Sequence, residues 1–240
     1  MSRFFIPKGS VSGSRITVKG DELHHARDVM RLREGDKITV FDGTGMEYTG
    51  TIDKVGKMEM TAVIINSSET PGEKCRLTLL QAVPKASKMD LIIEKATELG
   101  VSRIVPVITS RTVMKMSEGG NRTQRWNKIT MVAAKQCGRS VFPEIAPVSD
   151  FKDALSYLEG CEFSLIPCLY EGNRPIKDVI KGRNPVSVCV LIGPEGDFTA
   201  PEVRMAVERG AIPVILGNEV LRSETAAVTV LSVLGYEFRW

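Results

Sequence analysis

Two glycine-bearing loops near the C-terminus carry residue types from which a ligand site can be built. Residues 193–199 read Gly-Pro-Glu-Gly-Asp-Phe-Thr, and residues 217–227 read Gly-Asn-Glu-Val-Leu-Arg-Ser-Glu-Thr-Ala-Ala. Each loop follows an apolar run predicted to be a strand, 186–192 or 212–216, and each leads into a predicted helix. In an open α/β sheet, ligands bind at loops that leave the carboxyl ends of strands. The spacing therefore predicts one site that both loops share.

The first loop matches neither the Walker A pattern nor Gly-x-Gly-x-x-Gly, so the usual nucleotide-phosphate chemistry is not indicated. Pro194 fixes φ and lacks an N–H, whereas Gly193 and Gly196 let a ligand approach the backbone closely. This composition suits a neutral or zwitterionic small molecule held by backbone groups. An ordinary strand-to-helix turn has the same composition, and this loop alone does not separate the two interpretations.

The second loop is more informative because Arg222 and Glu224 stand directly before an apolar helix, predicted over 226–234. A helix that is apolar almost all round is buried. Charged side chains at its mouth are expected to be paired or functional. The alternative is an arrangement that only caps the helix. Two such loops on neighbouring strands favour a site more strongly than either loop does alone.

Two kinds of element must position these loops. Residues 1–70 predict short strands punctuated by glycine, typical of a small barrel, with one helical segment over 21–31. The polar stretch around Pro71-Gly72 is a linker, so we place a domain boundary after residue 72. Beyond it, strands alternate with helices, which predicts a mostly parallel sheet with helices on both faces.

Composition excludes several other classes. The chain has 240 residues, 42% hydrophobic and 25% charged, as in ordinary globular proteins. No apolar run reaches about 18 residues, and the N-terminus has too short an apolar run for a signal peptide, so we expect a cytoplasmic protein. The five cysteines are scattered, no Cys-x-x-Cys occurs, and the only histidines are His24 and His25. Reduced thiols and no metal are expected.

Basic residues are concentrated in one segment. The net charge is +3. Residues 73–150 hold 13 Lys and Arg against 7 Asp and Glu, and the segment 111–139 holds seven basic residues against the single acid Glu118. A basic stripe on a nearly neutral protein indicates a polyanionic partner that docks on one face. A solvated helix face is the alternative.

Residues 192–199 and 216–227 closely resemble the RsmE family. Its members are SPOUT-class methyltransferases that use S-adenosylmethionine to methylate N3 of a uridine in 16S ribosomal RNA. Further motifs of the family occur in the same order along the whole chain, at residues 24–36, 41–43, 94–101 and 135–139. One departure is Asp197, where many members have glycine. A side chain at this position is expected to change the rim of the first loop.

The resemblance implies a PUA-like, RNA-binding β-barrel over 1–72 and an α/β SPOUT methyltransferase domain with a C-terminal trefoil knot over 73–240. It also implies a homodimer. Carried over motif by motif, the residues expected to bind S-adenosylmethionine are Leu169, Ile192, Gly193, Glu195, Gly196, Leu216, Gly217, Leu221, Arg222, Thr225 and Ala226.

Methylation of uracil N3 sets further requirements. The N3–H is a weak acid, so the enzyme must remove the proton or stabilise the negative charge that develops. Arg111 and Arg222 are the candidate cations, and Glu224 and Glu195 are candidate bases between which the sequence does not choose. The target base must be unstacked from its helix. Residues expected to contact RNA are Arg3, Arg27, Arg31, Arg33, Arg122, Arg125, Lys128 and Arg139.

Three functions follow from these patterns. The first is transfer of a methyl group to a uridine of 16S ribosomal RNA, or to another RNA. The second is RNA binding by a non-catalytic protein that retains the fold. The third is a small-molecule or nucleotide enzyme unrelated to RNA. The intact second loop favours the first over the second, and the basic stripe with the N-terminal barrel favours the first over the third.

Overall fold

A computed structural model describes residues 3–85, 88–113 and 119–239. Lys115 and Glu118 of the basic segment lie outside these ranges. The chain separates into two compact units. The first comprises residues 1–72 together with 134–142, and the second comprises 73–133 and 143–240. The change of unit after residue 72 coincides with the predicted linker, whereas the sequence did not indicate that 134–142 would join the first unit.

The first unit is built on one mostly antiparallel sheet. Its strands are β1 (Arg3–Phe5), β2 (Val11–Ser12), β3 (Arg15–Lys19), β4 (Lys37–Phe41), β5 (Met46–Val55) and β6 (Glu59–Glu69). Their order is β1-β4-β5-β6-β3-β2, and only β1 and β4 run parallel among the strands described. Alternation sets the core, because Ile16 and Val18 are buried while Arg15 and Lys19 on either side of them are exposed.

The turn between β4 and β5 requires glycine. Gly43 and Gly45 have φ values of 79° and 112°, in the region that favours glycine. A Cβ at Gly43 would lie 2.7 Å from the ring of Phe142. In the sequence, Asp42-Gly43 followed by Thr44-Gly45 predicts a hairpin between two strands, and the antiparallel pairing of Phe41 to Glu47 confirms it.

The helical segment of this unit is shorter than predicted. Helix α1 (Gly20–His24) continues as a π-helical turn (His25–Val29), and Arg31 has a left-handed φ of 56°. A left-handed residue cannot continue a right-handed helix. The predicted helix over 21–31 is wrong at its end, so Arg27 and Arg31 do not share a helical face.

The second unit contains a sheet in which every described pair of strands is parallel, as predicted. The strands are β7 (Arg76–Ala82), β8 (Arg103–Ile108), β9 (Glu144–Ile145), β10 (Ser149–Asp150), β11 (Phe163–Pro167), β12 (Arg174–Pro175), β13 (Ser187–Ile192) and β14 (Ile212–Ile215). Their order in the sheet is β10-β8-β7-β13-β11-β14-β12, and β9 also pairs with β8. Strand β13 is buried along its whole length, as expected of a central parallel strand.

Helices connect these strands, and they bury their apolar faces against the sheet. They are α2 (Lys88–Glu98), α3 (Gly119–Cys137), α4 (Phe151–Ala154), α5 (Ser156–Glu159), α6 (Ile176–Ile180), α7 (Ala200–Glu208) and α8 (Ser223–Phe238). In α8, the buried residues Ala227, Val230, Leu231 and Leu234 recur at helical spacing. Among the helices described, none is long and apolar enough to cross a membrane.

The apolar face predicted for the helix over 123–137, with Trp126, Ile129, Val132, Ala133 and Gln136, is partly wrong. Trp126 and Ala133 are buried and Ile129 packs against the core, as expected, but Val132 is 63% exposed, Gln136 is exposed and Ala134 is buried. Residues 129 and 133 continue the buried face because they follow Trp126 at intervals of three and four. The run of four apolar residues at 131–134 left the phase of the helix ambiguous.

Candidate functional site

A cavity of about 420 Å³ lies in the second unit, where three neighbouring parallel strands end. Strands β11, β13 and β14 are adjacent in the sheet, so the loops after their carboxyl ends meet. The residues that line the cavity are Pro167, Cys168, Leu169, Ile192, Gly193, Pro194, Glu195, Gly196, Asp197, Val214, Ile215, Leu216, Gly217, Glu219, Val220, Leu221, Arg222, Ser223 and Ala226.

Most of the residues expected at the cofactor site come together here. Every one of them except Thr225 lines this cavity. Thr225 is exposed, whereas Ser223 and Ala226 line the cavity three positions apart. In a helix of 3.6 residues per turn, Thr225 points to a different side from these two. The sequence did not single out Val214, Val220 or Ser223, although Val220 and Ser223 each stand beside a motif residue.

Close packing explains the first glycine of the loop after β13. A Cβ at Gly193 would lie 3.1 Å from Asp197 Oδ1 and 3.3 Å from the Phe198 amide nitrogen. A Cβ there would require these neighbours to shift by a few tenths of an ångström. Glycine at this position therefore allows the loop to fold closely onto itself, before any ligand contact is considered.

A buried hydroxyl joins the two loops on either side of the cavity. Ser223 Oγ donates a hydrogen bond of 2.6 Å to the Gly193 carbonyl, and it accepts one of 3.0 Å from Gln81 Nε2. Gln81 is fully buried at the end of β7 and also donates to the Ala82 carbonyl at 2.9 Å. This chain fixes the first residue of α8 against the loop after β13. Arg222 is the residue directly before this anchored position.

Arg222 stands at the mouth of the cavity. Its backbone is extended, with φ −66° and ψ 153°, immediately before α8 begins. The side chain is exposed and lines the cavity. No hydrogen bond or ion pair joins its guanidinium to another residue in the described part of the chain. The guanidinium is thus available to a ligand, and the interpretation of Arg222 as a helix cap has no support, because its side chain makes no capping hydrogen bond.

Glu195 and Glu224 share one cation. Lys88 Nζ lies 3.0 Å from Glu195 Oε1 and 3.5 Å from Glu224 Oε2. The backbone N–H of Lys85 also donates to both Glu195 oxygens at 3.3 Å. Burial raises the pKa of the Glu195 carboxyl, but hydrogen bonds from its own backbone N–H, Lys88 and Lys85 outweigh that effect and lower the pKa overall. A carboxylate held in this way is a weak base.

Glu224 differs from Glu195 in its surroundings. Its side chain is only 14% exposed, and Glu224 is not among the residues that line the cavity. The buried Oε2 atom has no hydrogen-bond partner among the described residues, although Lys88 lies within ion-pair distance. The hydrogen bond to Glu195 raises the pKa of the Lys88 ammonium, so Lys88 stays charged between the two carboxylates.

Arg111 contacts the loop after β13 from outside the cavity. Its Nη1 atom donates to the Gly196 carbonyl and, at 3.4 Å, to the Asp197 carbonyl. The side chain is exposed and does not line the cavity. The structure therefore places Arg111 where it supports the backbone of this loop.

A buried carboxylate fixes the turn that carries Arg111, and the sequence did not reveal it. Glu202 is 3% exposed. It accepts hydrogen bonds of 2.8 Å from the Ser110 N–H and from the Thr199 N–H and hydroxyl. The bond from the Thr199 N–H is one half of a capping box at the start of α7, and in the other half the Thr199 side chain accepts from the Glu202 N–H. The sequence did contain one signal for this contact, the capping-box pattern of Thr199 followed three residues later by Glu202.

Glu202→Gln is expected to destabilise the protein by about 2–3 kcal/mol at pH 7, because hydrogen bonds to a buried charge are lost. Burial raises the pKa of Glu202, but the bonds from Ser110 and Thr199 lower it below the ordinary value of 4.5. The stabilisation is therefore complete above about pH 4.5 and is lost as the pH falls through the lower folded pKa. Urea unfolding of both proteins at pH 7 and pH 3 measures this. A difference that stays constant between the two pH values contradicts the assignment.

The predicted basic surface is present on α3. Arg122, Arg125 and Lys128 are exposed at intervals of three along the helix, whereas Trp126 is buried. Arg125 is paired with Asp90 in α2, so its charge is partly neutralised. Arg31 and Arg33 of the first unit are also exposed.

Two other residues predicted to contact RNA, Arg27 and Arg3, make contacts within the first unit. Arg27 pairs with Asp28 and donates to the carbonyls of Gly56 and Lys57. The Arg3 guanidinium lies 4.2 Å above the ring centre of Phe41. Its donors bind acceptors that include Glu47 Oε2 at 2.7 Å and the Arg139 carbonyl at 3.0 Å. Arg3 thus ties 134–142 to the sheet.

Arg3→Ala is expected to reduce the free energy of unfolding by about 2 kcal/mol, because partly buried partners lose charged donors. The salt dependence of RNA affinity should stay as in the unchanged protein. Urea unfolding and RNA titration at several salt concentrations measure both effects. A reduced salt dependence with unchanged stability would instead show that Arg3 contacts phosphate.

Comparisons with known proteins agree with this architecture. A family model described as an RNA methyltransferase domain matches residues 71–235, and one described as an RNA methyltransferase PUA domain matches residues 18–65. The Ribosomal RNA small subunit methyltransferase E of Aquifex aeolicus is 32% identical, covering 92% of this chain and 94% of the relative. Its Bacillus subtilis counterpart is 28% identical, covering 99% and 97%.

Solved structures give the same result. The Ribosomal RNA small subunit methyltransferase E of Neisseria gonorrhoeae, bound to S-adenosylmethionine, is 28% identical with a TM-score of 0.85, covering 99% of this chain and 98% of that one. A methyltransferase of Legionella pneumophila, solved with the same cofactor, is 30% identical with a TM-score of 0.85, covering 98% and 97%.

The parallel sheet, the cavity at its carboxyl edge and the two matched domains are together the composition of an RNA methyltransferase with a PUA domain. The chain belongs to the RNA methyltransferase family that includes the Ribosomal RNA small subunit methyltransferases E. The resemblance seen in the two loop motifs is thereby confirmed.

Proposed function

We propose that this protein transfers the methyl group of S-adenosylmethionine to N3 of a uridine in 16S ribosomal RNA. The observation that carries the proposal is the coincidence of two sets of residues. The motif residues expected to hold the cofactor, from Leu169 to Ala226, line one cavity at the carboxyl ends of β11, β13 and β14, with the exception of Thr225. Two relatives of the same fold were solved with that cofactor.

The cavity suits S-adenosylmethionine in size and in chemistry. Its volume of about 420 Å³ is within the range of small-molecule sites, roughly 300–1,000 Å³. Apolar side chains such as Ile192, Leu216 and Leu221 form much of the wall. The carboxylate residues Glu195, Asp197 and Glu219 outnumber the cationic Arg222 among the described lining residues. An excess of negative charge favours a ligand that carries a sulfonium and an ammonium group.

The chemistry divides between the cofactor and the chain. When bound, S-adenosylmethionine supplies a methyl group on a sulfonium, which is electrophilic without help from a metal. The chain must align the base and stabilise the negative charge that develops on uracil as the N3 proton leaves. We assign the second task to Arg222, since its guanidinium is exposed at the cavity and is unengaged within the described chain. The hydrogen bonds of Ser223 hold the turn that carries it.

The other candidate residues take supporting roles in this proposal. Arg111 binds the backbone of the cofactor loop and acts as a positioning residue. Glu195 is held by Lys88 and Lys85, which makes it a poor proton acceptor. Glu224 is next to the cavity and beside the same lysine, and its role as proton acceptor stays a prediction.

We further propose that residues 1–72 form a PUA-like barrel that binds RNA, and that 73–240 form the methyltransferase domain with a trefoil knot at its C-terminal end. The match at 18–65 supports the first assignment. The order β13-β11-β14 supports the second, because the chain returns past β11 after β13.

A homodimer is part of the proposal. Leu169 and Val220 line the cavity yet are 68% and 75% exposed, and Tyr236 of α8 is 74% exposed. Large apolar side chains at the rim of a site are expected to be covered by a partner. Sedimentation analysis should give twice the monomer mass of 26.4 kDa.

Two measurements test the proposed function. Calorimetric titration with S-adenosylmethionine should show saturable binding, and absence of heat at high protein concentration would exclude the enzyme. Mass mapping of ribosomal RNA from cells that lack the protein should show the loss of one methylated uridine in 16S RNA. Cofactor binding together with unchanged 16S RNA would indicate another RNA substrate. RNA binding without cofactor binding would indicate the non-catalytic alternative.

A further inference from the structure

Asp197 makes a contact between two walls of the cavity. Its Oδ2 atom accepts a hydrogen bond of 2.8 Å from the backbone N–H of Leu169, which lies 28 residues earlier in the chain. Its Oδ1 atom accepts one of 2.7 Å from the N–H of Phe198. Leu169 follows β11 and Asp197 follows β13, so this single carboxylate joins the loops at the ends of two neighbouring strands. Both residues line the cavity.

The backbone of Asp197 has a conformation that favours glycine over a residue with a side chain. Asp197 has a φ of 68°, in the left-handed region where glycine carries no steric cost. Aspartate tolerates this conformation better than most residues because its short side chain hydrogen-bonds locally. The side chain at residue 197 therefore works against the preferred geometry of the backbone. A contact that glycine cannot make has to compensate for that cost.

The surrounding loop is shaped to receive this carboxylate. The Asp197 N–H donates to the Pro194 carbonyl at 3.0 Å, which closes the turn 194–197. Gly193 has no Cβ, and the space this leaves is occupied by Asp197 Oδ1, 3.1 Å from where a Cβ would stand. Arg111 holds the same peptide from the other side through the carbonyls of Gly196 and Asp197. These contacts hold the backbone of the turn 194–197, and they thereby fix the position of the Asp197 carboxylate.

From these contacts we propose that Asp197 is a positioning residue that orders the cofactor cavity before the cofactor enters. By binding the Leu169 N–H, it fixes the loop after β11 against the loop after β13. Ordering a wall in advance increases affinity, since the loop then loses less conformational entropy when the ligand binds. The proposal rests on the proposed cofactor site for its effect on affinity, whereas the link between the loops exists without any ligand.

Asp197→Gly separates this role from backbone strain, because glycine relieves the left-handed strain and removes both acceptors. Hydrogen exchange in the ligand-free protein should become faster in peptides that cover residues 166–172. The Kd for S-adenosylmethionine should rise about tenfold while kcat stays within about twofold, as expected when one charge-assisted bond that orders the site is lost. Asp197→Asn retains one carbonyl acceptor and should give an intermediate Kd.

Asp150→Gly is the matched control, since Asp150 also accepts a hydrogen bond from a backbone N–H, that of Asp153 at 3.0 Å, and does not line the cavity. It should leave both the exchange of 166–172 and the Kd unchanged. Exchange of 166–172 in Asp197→Gly at the rate of the unchanged protein would overturn the proposal, as would an unchanged Kd. If the unchanged protein binds no S-adenosylmethionine, the proposed function fails, and the exchange experiment alone still decides whether Asp197 links the loops.

Discussion

Arg222→Ala should reduce methyl transfer by a factor of about 10²–10³ while leaving the fold intact, as is typical when a donor that stabilises developing charge is removed. The side chain is exposed at the cavity, and within the described chain it makes no hydrogen bond or ion pair that folding would lose. The turn itself is held by the neighbouring Ser223, through Gln81 and the Gly193 carbonyl. The loss should therefore fall on kcat and not on stability.

The measurement is single-turnover methyl transfer to 16S RNA, with thermal unfolding recorded on the same samples. Arg204→Ala is the matched control, because Arg204 is an exposed arginine of α7 in the same unit and does not line the cavity. Arg222→Lys keeps the charge but not the planar fork of donors, so it should recover activity in part. Full activity of Arg222→Ala would show that Arg222 does not take part in methyl transfer. A large fall in unfolding temperature would show that the arginine is structural.

The cavity itself could be predicted from the sequence because its walls are local. Each loop directly follows a strand and precedes a helix, so the strand-to-helix spacing was enough to place Gly193 and Arg222 at the carboxyl edge of a sheet. The placement of Gly193 and Arg222 did not require knowledge of the strand order. The adjacency of β13, β11 and β14, which brings the loops together, is a property of the whole sheet.

The sequence did not predict contacts between residues that are far apart in the chain. Gln81 and Ser223 are 142 residues apart, and Ser110 and Glu202 are 92 apart. No periodicity marks such pairs, because each partner is an ordinary polar residue at the end of an element. Arg3 is the opposite case. Its type suggested phosphate binding, but the packing of 134–142 engages its guanidinium within the first unit.

Asp197 shows how a departure from a family pattern is read differently once the backbone is known. In the sequence, a side chain in place of glycine appears only as a change at the rim of the loop. The φ of 68° shows why glycine suits the position, and the bond to the Leu169 N–H shows what aspartate adds. Aspartate at position 197 thus lacks the conformational freedom of glycine, but it adds a hydrogen bond that links two loops.

Neutralising Arg122, Arg125 and Lys128 to glutamine is expected to weaken RNA binding strongly and to flatten its dependence on salt. These residues form one exposed face of α3. Each phosphate contact contributes about 0.7–0.9 to the slope of log affinity against log salt. Loss of three contacts should reduce that slope by roughly 2 units and the affinity by about 10²-fold at moderate salt. Single variants should rank Arg125 below Lys128, because Arg125 is already paired with Asp90.

Titration of labelled 16S RNA fragments at four or more salt concentrations measures both quantities. The control is the triple variant of Lys152, Lys177 and Arg204 to glutamine, which removes the same charge from exposed positions of the second unit outside the basic segment. A general effect of net charge would appear equally in both triples, whereas contacts with phosphate would appear only in the first. An affinity that does not depend on salt would contradict phosphate contacts by α3. Its basic face would then be a solvated helix surface, and RNA recognition would have to come from the first unit.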